Sequence, residues 1–91
     1  MKAKNMTGKN GRAIPNQIII STPEATFFQS YGSIIVKTAF ENGSRKIYFD
    51  ETYYDSSKTT SKYRNQFLGE DTKTICQKIK SGEYALTNLN N

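Results

Sequence analysis

The densest chemistry in the chain lies in Thr59-Thr60-Ser61-Lys62-Tyr63-Arg64-Asn65-Gln66-Phe67-Leu68-Gly69. Hydroxyls, two cations and two side-chain amides stand there beside aromatic and aliphatic anchors. Such donors suit phosphate or carboxylate oxygens, and a cationic donor makes each bond stronger. The run reads as a short helix. Thr60 is the expected N-cap, because its hydroxyl can accept from a first-turn N–H. Tyr63 and Phe67 fall at i and i+4 with Leu68 beside them, which gives one apolar face. Gly69 supplies the left-handed stop. Lys62 and Arg64 are then expected to project off the buried face, with Thr59, Thr60 and Ser61 crowding the helix start. A helix start bearing free N–H groups attracts anions. Gln29, Tyr31 and Tyr54 extend the candidate surface. A Tyr ring can stack on a base, which contributes roughly 1–3 kcal/mol. The candidate site is therefore Thr59, Thr60, Lys62, Arg64, Gln29, Tyr31 and Tyr54.

The elements that must position these residues can be read in order. Residues 1–16 hold Lys2, Lys4, Lys9 and Arg12 without an acid and with few apolar side chains, so a flexible basic arm is expected. Gln17 to Thr22 is a β-branched run suited to a buried strand. Pro23 breaks it, and Thr26 to Tyr31 forms a second strand that Gly32-Ser33 interrupts by a bulge or tight turn. Ile34 to Phe40 and Arg45 to Asp50 flank Asn42-Gly43, the signature of a type I′ hairpin. Asp71 should cap a second helix over Thr72 to Ser81, with Ile75 and Ile79 inward beside Cys76 as a small buried hydrophobe, Lys73, Lys78 and Lys80 outward, and Gly82 as its stop. Glu83 to Leu89 reads as a final short strand. The sum is an α+β fold: an antiparallel sheet of four to five strands with two short helices packed against it, over residues 17–91 as one domain.

Composition excludes several classes. The chain has 91 residues, no His and one Cys. Ser-His-Asp and Cys-His catalysis, His-containing zinc sites and iron–sulfur clusters all lack their residues. No phosphate-binding glycine loop, dinucleotide fingerprint or calcium loop occurs, so no cofactor or metal is expected. Asp50, Glu51 and Asp55 with Lys58 are the remaining enzyme candidates, and they read as turn and cap residues; the chain is not expected to be an enzyme. No membrane span or signal peptide is expected, and the single Cys fits a cytoplasmic protein of a bacterial host cell. The net charge of +5 sits on residues 1–16 (+4) and 55–91 (+2), against −1 between them. That distribution allows a polyanionic partner.

Gln17-Ile18-Ile19-Ile20, Phe28-Gln29-Ser30-Tyr31 with Ile34-Ile35, the Thr59-to-Gly69 run after Lys58, and Lys80-Ser81-Gly82-Glu83-Tyr84 with Leu86 and Leu89-Asn90 resemble a family of small proteins. The family is encoded by phages, prophages and plasmids of Gram-positive and related bacteria and carries a domain-of-unknown-function label. Two positions depart from its pattern. Tyr54-Asp55-Ser56-Ser57 stands where relatives have Trp-Asp-Tyr-Ser, which weakens any stacking role there, and Ser61 stands where they have Gly. The resemblance implies a mobile-element setting and no catalytic activity.

These residues admit four functions. The leading one is a non-enzymatic inhibitor or sequestering protein that blocks a host-defence protein, its nucleic acid or an anionic nucleotide. The alternative is a nucleic-acid-binding accessory protein, for single strands rather than duplex. The third is a homo-oligomer assembled through an exposed strand edge, and the fourth the enzyme set aside above.

Overall fold

Asn42-Gly43 is the simplest local instruction in the chain, and the computed structural model, which describes residues 1–90, follows it. Asn42 and Gly43 take φ of 53° and 80°, the left-handed pair of a type I′ turn. They join β4 (Ser33–Glu41) to β5 (Ser44–Asp50), with Glu41 opposite Ser44. The preceding hairpin uses the same device. β3 (Ala25–Ser30) reaches β4 through Tyr31 and Gly32, whose φ values are 51° and 82°. β2 (Ala13–Ser21) precedes β3 across a turn in which Thr22 N–H donates to the Ala25 carbonyl at 2.8 Å.

The stretch expected to be a flexible basic arm is instead the first hairpin. β1 (Lys2–Thr7) pairs with β2, Lys2 opposite Ser21 and Asn5 opposite Ile18. The anchor is Met6, which is 4% exposed within the core cluster. One buried methionine and a ladder of backbone bonds hold a strand whose other five residues are exposed, which is why its composition reads as a solvated tail.

After β5 the chain forms α1 (Lys58–Leu68) and α2 (Thr72–Lys80), then β6 (Ala85–Thr87), which pairs with β5 in parallel. The sheet is thus six-stranded and mixed, in order β1-β2-β3-β4-β5-β6, rather than an antiparallel one of four to five strands. The fold class is α+β as expected. Both helices cover one sheet face. Phe28, Val36 and Phe49 project from successive strands onto that face with Ile75 of α2, all four fully buried. Phe67 of α1 stacks on Phe28 at 5.8 Å, and Tyr84 meets Phe49 edge-on at 5.5 Å.

Asp71 caps α2 as expected, accepting from Thr74 N–H at 2.8 Å, and Gly82 follows its end at φ 85°. Cys76 is only partly buried. Lys78 does not face outward. It donates to Glu70 and, at 3.3 Å, to the Tyr84 hydroxyl, which itself donates to Glu70 at 2.6 Å. That bond to Glu70 holds the Lys78 ammonium above its ordinary pKa.

Candidate functional site

Ser57, not Thr60, caps α1. Its hydroxyl accepts from Thr60 N–H at 3.1 Å, and the Ser57 backbone is extended as an N-cap requires. The helix therefore starts about a turn earlier than its sequence suggests. Thr60 turns inward, 2% exposed, where its hydroxyl pairs with Ser30 on β3 at 3.0 Å and with Ser57 at 3.1 Å.

Arg64 lies one turn later and is buried too, at 1% exposure, rather than projecting as a free cation. Its guanidinium donates to the Tyr54 carbonyl at 2.7 Å, to Asn65 Oδ1 at 3.0 and 3.1 Å, and to Thr72 Oγ1 at 3.1 Å; Asp55 Oδ1 lies at 3.4 Å. Arginine's planar fork suits this work, since its N–H groups fan out to acceptors on three segments. Lys62 points to solvent, with its ammonium 5.2 Å from the Tyr63 ring centroid. The two cations of the run thus serve different surroundings and form no joint anion site.

The remaining predicted residues divide. Gln29 sits between Phe28 and Ser30, both of which face the helices, so its side chain lies on the opposite sheet face. Tyr54 stacks its ring on Phe49 at 6.2 Å and belongs to the packing. Tyr31, Thr59 and Thr60, however, come together. They line an open cleft of about 550 Å³ with Ser30, Ser33, Tyr53, Ser56 and Ser57. It lies between the Tyr31-Gly32 turn, the loop after β5 and the first turn of α1.

The cleft is neutral and rich in hydroxyls. Two tyrosines flank it, Tyr31 at 57% and Tyr53 at 39% exposure. The first N–H groups of α1 have no intrahelical acceptor, and only that of Thr60 is met by the cap. Beside Ser30 in the sheet, Gln17 is fully buried with neither amide atom hydrogen-bonded among the described residues. Polar capacity thus exceeds what packing uses on this side of the molecule. No group of three or more His, Cys, Asp or Glu side chains able to hold a metal occurs among the described residues.

Tyr31 is the unusual member. An L side chain at φ 51° is strained, and a bulky one more so; a type I′ turn is ordinarily Asn-Gly, as at Asn42-Gly43. Backbone strain concentrates where function keeps it. Of the cleft lining, the residues expected from sequence are Tyr31, Thr59 and Thr60, whereas Tyr53, Ser33, Ser56 and Ser57 were not among them. A Ser three residues ahead of Thr60 was the available signal, as the earlier of two competing caps.

A family model described as a family of unknown function (DUF8033) matches residues 1–82. No curated protein and no solved structure matches the chain.

Proposed function

The chain belongs to the family of unknown function DUF8033, and on that premise we propose that it is a non-enzymatic binding protein whose cleft receives an anionic nucleotide. In the setting suggested by its resemblance to proteins of phages and plasmids, it acts by sequestering such a molecule from a host-defence system. The observation that carries this reading is Tyr31: a strained, exposed turn residue that lines a hydroxyl-rich cleft together with Tyr53. The rings can clasp a base between them. The hydroxyls of Ser33, Ser56 and Thr59 and the first N–H groups of α1 can meet phosphate oxygens.

The reading implies that stability and binding oppose each other at one residue. Tyr31→Asn relieves the strained φ and is expected to stabilise the fold by about 1 kcal/mol. The same change removes one stacking partner, so nucleotide affinity should fall roughly five- to 150-fold, from the ~1–3 kcal/mol that stacking contributes. Adenosine and guanosine monophosphates and their cyclic dinucleotides serve as probes. Calorimetric titration gives the affinity, and thermal melting gives both the stability and the ligand-induced shift. If millimolar amounts of all of them leave the melting temperature unmoved, the nucleotide reading fails. Unchanged affinity in Tyr31→Asn and Tyr53→Ala would remove the cleft as the place of binding.

A further inference from the structure

Residues 1–21 carry four cations, Lys2, Lys4, Lys9 and Arg12, and no acid. The fold gathers them on one hairpin at the edge of the sheet, where β1 pairs with β2 alone. From Lys2 to Asn5 the register is uninterrupted, and an irregularity begins only between Asn5 and Thr7. An edge strand leaves alternate N–H and C=O groups facing outward without a partner. Lys2, Lys4 and Met6 alternate onto the helix-covered side. There a groove of about 450 Å³ runs between the hairpin and the end of α1. Met6, Ile19 and Phe67 give it apolar walls, Lys4 lines it, and its lining contains no acid.

We propose that this edge takes up an extended acidic segment of a partner protein as an added strand. Backbone groups of the segment would pair with Lys2 to Asn5, its carboxylates would meet Lys2 and Lys4, and an apolar side chain would enter the groove. Two other occupants fit less well. A second copy paired through β1 would set lysines of one chain against lysines of the other, the arrangement by which edge strands resist self-association. A nucleic acid would need exposed ring faces, whereas Phe67, the only ring in the groove, is stacked on Phe28. This surface is separate from the cleft, and the proposal does not depend on nucleotide binding.

The test uses the full chain and a fluorescent peptide of about ten residues whose alternate positions, on one strand face, carry Glu, Glu and Val with Thr between them, longer than the usual strand of ~5–6 residues. Anisotropy should show saturable binding that weakens as salt rises. Lys2→Glu combined with Lys4→Glu, both at exposed positions, should reduce affinity about tenfold or more while circular dichroism stays unchanged. Methylating the backbone nitrogens along one edge of the peptide should abolish binding, and methylating the other edge should spare it. The proposal is overturned if the peptide does not bind at millimolar concentration, or if the same peptide with Lys in place of each Glu binds equally. It is also overturned if both methylated forms bind as the parent does, if the double charge reversal has no effect, or if a thymidine oligonucleotide binds this edge and the peptide does not.

Discussion

Arg64→Ala is expected to cost about 3–5 kcal/mol of folding stability, while Lys62→Ala, two residues away, stays within about 0.5 kcal/mol. The difference comes from burial. Arg64 is 1% exposed and joins three segments: the loop carbonyl of Tyr54, its own helix through Asn65, and the start of α2 through Thr72. Truncation leaves the Tyr54 carbonyl without this donor, though Thr72 Oγ1 keeps the Asn65 amide at 2.9 Å, and opens a cavity the size of a long side chain. A buried acceptor left unbonded costs about 1–3 kcal/mol, and the cavity adds to that. The 3.4 Å contact with Asp55 adds little, since that carboxylate is mostly exposed and screened. Arg64→Lys should recover less than half of the loss, because one ammonium cannot reach acceptors arranged around a planar fork. Urea unfolding with matched slopes measures both variants. Equal midpoints for Arg64→Ala and Lys62→Ala would mean that the guanidinium does not bind these segments together.

The same residue shows how far the sequence can be read. Hairpins were legible because Asn-Gly and Gly-Ser act through local backbone preference, which needs no partner. The second helix was legible because Asp71, Ile75 and Ile79 agree on one register. The first helix was misread by one turn because Ser57 and Thr60 are both chemically adequate caps. The bonds that Thr60 Oγ1 makes to Ser30 and Ser57 draw it into the interior and leave the cap to Ser57. Arg64 stands four residues after Thr60 on the same inward face, and an arginine inside a small domain is improbable from composition alone. β1 escaped notice for a related reason: an edge strand needs only one buried side chain, and Met6 gives no periodicity. β6 is three exposed residues held by pairing with β5, so its parallel direction lies in topology rather than pattern. The cleft was half legible. Tyr31 and Thr59 belonged to the candidate set, but Tyr53, Ser56 and Ser57 sit in a polar loop whose path is fixed elsewhere.

Asp50 fixes that path, and its loss should be as damaging as that of Arg64. It ends β5 at 2% exposure. Oδ2 accepts from the Thr52 and Tyr53 N–H groups at 3.0 and 2.9 Å, and Oδ1 accepts from Leu89 N–H at 2.9 Å. One carboxylate therefore turns the chain toward the cleft, sets Tyr53, and ties down the tail after β6. Asp50→Ala deprives three N–H groups of a charged acceptor, each bond worth roughly 1.5–3 kcal/mol, and the net loss is expected at about 3–5 kcal/mol after solvent reaches the exposed ends. For a domain of this size that lowers the melting temperature by roughly 15–30 °C. Asp50→Asn keeps the shape but turns an N–H₂ toward backbone donors, so it should recover only part of the loss.

The charge of Asp50 also sets a pH window. Burial pushes its pKa up, but the Leu89 N–H, Asn90 and the N–H groups of Tyr53 and Thr52 outweigh that, and the carboxyl lies below its ordinary value of 3.8. A carboxyl depressed in the folded state stabilises the fold above the unfolded pKa, and that contribution disappears as pH falls through the folded one. The stability gap between the natural chain and Asp50→Asn should accordingly be constant from neutral pH down to about 5 and close progressively below about 4. Glu70 and Asp71 are depressed as well and lose stability in the same range, but they are common to both proteins and drop out of the difference. Urea midpoints at pH 7, 5 and 3 suffice for the comparison. A gap that persists unchanged at pH 3 would show that shape rather than charge holds the loop, and Tyr53 would then owe its place at the cleft to packing alone.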